Sequence, residues 1–135
     1  MNTMTMKRPV QRPVQRPKNL NLLSIRLPVN AVVSILHRVS GLVLYLLVPG
    51  LLLLLQWSLQ HPQGFQEVAA LVTHPAVKLL WVGLAWAFAH HFFAGIRHLA
   101  MDVHWGGELK KARFTSKLVL AGGALTAVIT LLAVF

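Results

Sequence analysis

Three windows of at least 18 residues in this chain contain no Asp, Glu, Lys or Arg: Val39 to Gln66, Leu79 to Ile96 and Leu118 to Phe135. The last two are 18 residues long, and the first opens with an apolar stretch from Val39 to Leu55. At 1.5 Å per residue, 18 helical residues make about 27 Å, close to the roughly 30 Å hydrocarbon core of a bilayer once flanking residues are added. The expected fold is therefore all-α and integral to the membrane, with three transmembrane helices at about 30–58, 76–102 and 115–135 within one anchor domain (29–135). Composition agrees, since 12% of the 135 residues are charged where an ordinary globular chain has about 25%.

The charges are lopsided. Thirteen Lys and Arg face only Glu67, Asp102 and Glu108, a net of +10, which raises nucleic acid or an anionic membrane surface as a partner. Their positions decide. Lys7, Arg8, Arg12, Arg16, Lys18 and Arg26 precede the first window, and Arg97, Lys110, Lys111, Arg113 and Lys117 lie between the second and third. The segment from Gln56 to Pro75 has none. By the positive-inside rule the N-terminus and second loop are cytoplasmic, and the first loop and C-terminus are periplasmic. The topology accounts for the cations, so no nucleic acid is expected.

No cysteine is present, which excludes disulfides, thiolate nucleophiles and a cysteine-ligated cluster in this chain. The basic start lacks the pattern of a cleavable signal peptide, and the prolines of "RPVQRPVQRP" prevent an amphipathic transit helix. A multi-pass protein of the bacterial inner membrane is the simplest reading. Residues 1–28 read as a basic, Pro-rich, extended cytoplasmic arm. Pro28 ends one element, Asn30 is placed to cap the next, and Pro49-Gly50 is placed to kink it. His61 and His74 each precede proline in turn-like contexts, and Trp57 and Trp81 flank that loop as interface anchors. The third helix has small residues and nothing that titrates, and reads as scaffold.

Polar groups in the second helix carry the functional question. His91, Gly95, His98 and Asp102 follow i, i+4, i+7, i+11 and share one face, while His90 lies about 100° away. Counted from Arg97 as the inner boundary, His91 is six residues, or about 9 Å, inside the hydrocarbon, and intramembrane ionisable groups are functional candidates. From spacing alone His91 reads as a histidine hydrogen-bonded to a neighbouring helix. Gly95, one turn along, opens a second reading as a haem ligand, because a bare backbone admits a flat macrocycle. In the first helix Ser34, Arg38 and Gly41 share a face with His37 beside them. Ser34, His37, Arg38, Arg97, His98 and Asp102 together would form a boundary pocket for anionic or carbonyl oxygens. For a second axial nitrogen, His37 and His98 sit about 9 Å too near the cytoplasm and His90 points elsewhere, so a bis-histidine site needs another chain.

"RPKNLNLLSIRLPVNAVVSILHRVSG" followed by "HHFFAGIRHLAMD" resembles the cytochrome b subunits of succinate dehydrogenase, the three-helix anchors of respiratory Complex II. The match runs from about Arg16 to Asp102; the third helix agrees in hydropathy. The resemblance implies packing with a second anchor subunit into a helical bundle, one haem b shared with that subunit, and ubiquinone as substrate. It implies His91 as an axial ligand of the haem iron, with the other axial histidine from the second anchor subunit. It implies Ser34 and Arg38 at the quinone site and His37 near the haem propionates, with Arg38 and His98 also in the haem surroundings and Asp102 as quinone-site support. Further implied partners are an iron–sulfur subunit and a flavoprotein subunit, with succinate chemistry outside this chain. A quinol:fumarate reductase anchor uses similar parts in reverse, and a cofactor-free assembly subunit is a further alternative. A transporter is disfavoured, since no Asp or Glu lies inside the spans.

Overall fold

The computed structural model describes residues 26–135, in which four helices follow one another: α1 (Val29–Gln60), α2 (Pro62–Thr73), α3 (Pro75–Asp102) and α4 (Leu109–Val134). Nearly all of the expected basic arm lies outside the described residues. Helices α1, α3 and α4 are long and apolar enough to cross a bilayer, and helices satisfy every mid-membrane backbone group within one segment. Helix α1 runs on through Pro49 without interruption.

The segment expected as a turn-rich loop contains α2. Its histidines are helix starts: His61 Nδ1 accepts from Gly64 N–H (2.7 Å), His74 Nδ1 accepts from Ala76 N–H (3.3 Å), and each is followed by a proline in the first turn. Proline suits that position because its missing N–H is one the helix would leave unpaired anyway. Asn30 also differs from expectation. The N-cap of α1 is Pro28, with no side-chain cap, and Asn30 Oδ1 instead lies 2.8 Å from the Ser116 hydroxyl of α4. Helix α4 begins at Leu109, earlier than its charge-free window, because a helix continues past the hydrocarbon wherever long basic side chains reach to the polar boundary.

Helix α3 packs against both α1 and α4, around a small core of Val33, Ala94 and Val119. Small residues permit this closeness: a Cβ on Gly122 would stand 2.9 Å from the Phe93 ring. Without a hydrophobic driving force in lipid, such close packing carries helix association. Large side chains including Leu46, Leu53, Phe88 and Leu132 face outward, towards lipid or other chains. At one end Lys78 Nζ donates to the Val134 carbonyl (2.9 Å), a cation at a helix C-terminus where the dipole favours it.

At the other end a tight turn joins α3 to α4. Trp105 N–H donates to Ala100 O and His104 N–H to Met101 O, both at 2.9 Å, the paired bonds of a Schellman motif. The motif needs a left-handed residue, and His104 fills it with φ 62°. An L-residue there is strained by about 1 kcal/mol relative to glycine. His104→Gly is expected to raise the thermal unfolding midpoint in detergent by a few degrees; an unchanged or lower midpoint would mean that the His104 side chain makes up the strain.

Candidate functional site

The polar residues of α3 divide between two faces. His91 turns to α1. Its Nδ1 lies 3.0 Å from the His37 carbonyl oxygen, and a carbonyl only accepts, so this nitrogen carries the proton and donates. The Ser40 hydroxyl donates to the same carbonyl (3.0 Å) and lies 3.4 Å from His91 Nδ1. Gly41 makes room for the ring: a Cβ there would be 2.8 Å from His91 Cε1. The His37 ring stacks on that of His91, centroids 4.3 Å apart and planes 15° from parallel, and His98 leans on His37 at 5.1 Å.

This arrangement changes two expectations. His37 is not a full 9 Å from His91; the antiparallel register of α1 and α3 brings the two rings into contact. Gly95 does not lie open for a macrocycle, because His37 Nε2 sits 3.8 Å from the place of its missing Cβ. Rings stacked face to face cannot aim their nitrogens at one metal from opposite sides, so within this geometry His37 is no axial partner for His91. Among the described residues no group of three or more His, Asp or Glu is placed to hold a metal ion. A single-ligand contribution does fit. With the proton fixed on Nδ1, His91 Nε2 carries its lone pair and makes no hydrogen bond to the described residues, the state in which an imidazole binds iron.

Ser34 and Arg38 lie one turn apart on the flank of the α1 stripe that meets α3, Ser34 half-buried and Arg38 exposed. Asp102 is exposed at the end of α3. Half of the site therefore opens outward. Arg97, expected in this pocket, is not part of it. It turns to α4, where Nε donates to Thr115 Oγ1 (3.1 Å) and one Nη to Ala112 O (3.5 Å). The 100° step per residue places it away from the His91 face. His90 is 0% exposed, stacked on Trp86 and 3.5 Å from the Val33 carbonyl through Nε2, with Nδ1 unpartnered. It faces the interior of the three packed helices and not the His91 site. Ser40 escaped sequence reasoning because a serine three residues after a histidine reads as ordinary helix back-bonding; Gly41 was placed on the right stripe, but its function required the register of α3.

The residues that converge here fall within a longer match. The model of the succinate dehydrogenase/fumarate reductase transmembrane subunit family matches residues 12–131. The chain belongs to that family. It is similar to the succinate dehydrogenase cytochrome b556 subunit of Coxiella burnetii, 36% identical over 118 residues that cover 86% of this chain and 87% of the relative. The corresponding subunit of Paracoccus denitrificans is 32% identical over 122 residues (88% and 92%), and that of Rickettsia conorii 27% over 113 (84% and 88%). As a transmembrane subunit of the succinate dehydrogenase family, this is a multi-pass membrane protein of an oxidoreductase complex, in line with the resemblance drawn from its two motifs.

The fit of His91 against α1 is testable through glycines. Gly41→Ala places a methyl group against the ring and is expected to destabilise by about 1–3 kcal/mol, as overpacking does. Gly83 has nothing within 4 Å of its missing Cβ, so Gly83→Ala is expected to stabilise by about 0.5–1 kcal/mol through helix propensity. Thermal midpoints of the two variants that move in the same direction would argue against the close approach at Gly41.

Proposed function

We propose that this subunit, with a second membrane-anchor subunit, holds one haem b and a ubiquinone site, and passes electrons from an iron–sulfur subunit to quinone. The observation that carries the reading is the His91 Nδ1–H···O=C bond to His37 (3.0 Å), supported by the names of the cytochrome b556 relatives. The N-terminus and the α3–α4 turn would face the cytoplasm, with the flavoprotein and iron–sulfur subunits docked there and an inner-membrane location, because all basic residues but Lys78 lie towards that side. The other axial histidine would come from the second anchor subunit.

His91 would hold the haem iron through Nε2. Hydrogen bonding of Nδ1–H to a carbonyl fixes both tautomer and ring orientation and raises the basicity of the ligating nitrogen. When bound, haem supplies a one-electron redox centre whose potential follows its axial ligands and surroundings. His37, whose ring lies on that of His91, and His98, which leans on His37, would donate ring N–H groups to the haem's carboxylates, and Arg38 would supply positive charge at the same end of α1. At the quinone site Ser34 Oγ–H and an Arg38 N–H donate to a quinone carbonyl oxygen. Those bonds strengthen as negative charge develops on the oxygen during reduction, which is where positioned donors lower a barrier. Asp102, exposed at the end of α3, would relay a proton through its carboxyl. The same donors serve quinol oxidation, and the family description includes fumarate reductase; succinate:ubiquinone oxidoreduction is favoured because the relatives are named for succinate dehydrogenase.

Two measurements test this. The complex purified through this chain should give a sharp reduced-minus-oxidised b-type band that His91→Leu removes or alters; no band from an intact wild-type complex returns His91 to a packing role. Arg38→Ala should lower quinone reduction by roughly 10–100-fold, the loss of a charge-assisted bond of about 1.5–3 kcal/mol. Succinate oxidation by an artificial acceptor should be nearly unchanged, and loss of both activities together would point to assembly instead.

A further inference from the structure

On the face of α3 opposite His91, a groove of about 350 Å³ runs between α3 and α4. Phe93, Ile96, Ala100 and Leu118 contribute apolar walls, and Arg97 and Thr115 supply its polar spot. The groove is separate from the candidate site: Phe93 and Ala100 are two and nine residues after His91, which turns them about 180–200° around the helix.

Arg97 is the anomaly. It is 8% exposed, yet it has no carboxylate within salt-bridge distance. The chain cannot supply one, because its acidic side chains are only Glu67, Asp102 and Glu108. Glu67 accepts from Trp57, Glu108 pairs with Lys111, and Asp102 lies on the His91 face. Thr115 and the Ala112 carbonyl take Nε and Nη2, while Nη1 makes no hydrogen bond to the described residues and is not sealed within protein. A guanidinium held in low dielectric without a counter-ion is costly, and the remedy is an anion that accepts its free N–H groups. Phosphate oxygens suit a guanidinium best among membrane anions. From Arg97 and Thr115 the apolar walls extend towards Gly122.

We propose that this groove binds one anionic phospholipid, its phosphodiester on Arg97 and an acyl chain lying between α3 and α4. The site needs neither haem nor quinone, so it stands or falls separately from the proposed function. Binding there would tie α3 to α4 from the side away from His91 and neutralise the one buried cation of the described residues.

The test is native mass spectrometry of the purified membrane complex after detergent washing, titrated with phosphatidylglycerol and, in parallel, with phosphatidylcholine. The wild type should retain one saturable phosphatidylglycerol per copy of this chain, in preference to phosphatidylcholine. Arg97→Gln should lower its occupancy at least tenfold, and Ala100→Phe, which fills the groove and leaves the bonds of Arg97 to α4 intact, should lower it likewise. Absence of any saturable lipid on the wild type overturns the proposal without reference to a variant. Equal retention by wild type and Arg97→Gln overturns the assignment of the phosphate, and full retention by Ala100→Phe overturns that of the groove. If Arg97→Gln releases the second membrane subunit while lipid occupancy per chain is unchanged, the counter-ion is a partner carboxylate and the proposal fails.

Discussion

The close approach of α1 and α3 at Gly41 is the constraint on which the rest of the site depends. A side chain at that position would occupy the place of the His91 ring. Because it is absent, the ring reaches the backbone of α1 and donates Nδ1–H to the His37 carbonyl. Helical carbonyls already accept one bond within the helix, and the second lone pair of this one receives both the imidazole and the Ser40 hydroxyl. A single helix contact thereby sets the spacing of the two spans, the tautomer of the histidine and the placement of His37 against it. In lipid, where apolar burial between helices supplies little driving force, such a contact also contributes to the packing that it exploits.

Around that contact the polar groups of α3 are sorted by the helical repeat. Consecutive residues step by about 100°, so the run from His90 to His98 sends its members three ways. His91 and His98 go to α1, His90 to the enclosed interior, and Arg97 to α4. Each direction carries a different chemical consequence. The α1 face is half open and gathers three imidazoles, two stacked and one tilted; the interior holds a histidine with an unsatisfied nitrogen; the α4 face holds a cation with no anion among the described residues. Two adjacent histidines are thus not interchangeable, and bringing His90 to the place of His91 would require α3 to rotate by about a quarter of a turn against both neighbours.

Much of this was legible in the sequence, and the boundary of what was legible is physical. Three spans followed from charge-free windows, and the His91, Gly95, His98, Asp102 face followed from periodicity; both are properties of one segment. Residues whose meaning depends on a neighbouring helix were not legible. Ser40 needs the position of His91, Gly41 needs the register of α3, and the direction of Arg97 needs α4. The same distinction explains α2. Gln56 to Pro75 lacks basic residues and contains two His-Pro pairs, which signal breaks, yet the residues between them form a helix whose histidine caps and first-turn prolines start it and its successor. Proline after a capping side chain is a start signal as well as a stop, and only the residues that follow separate the two.

Height along the bilayer normal is likewise set between helices and not within one. Residue number alone sets His91 about 9 Å from the level of His37. The contacts between the helices fix the register instead: the His91 ring meets Gly41 and the His37 ring covers Gly95, and in that register the two rings stack. Within this geometry it is the near-parallel alignment of the two rings, with centroids 4.3 Å apart, and not a difference in depth, that keeps His37 and His91 from facing one metal from opposite sides.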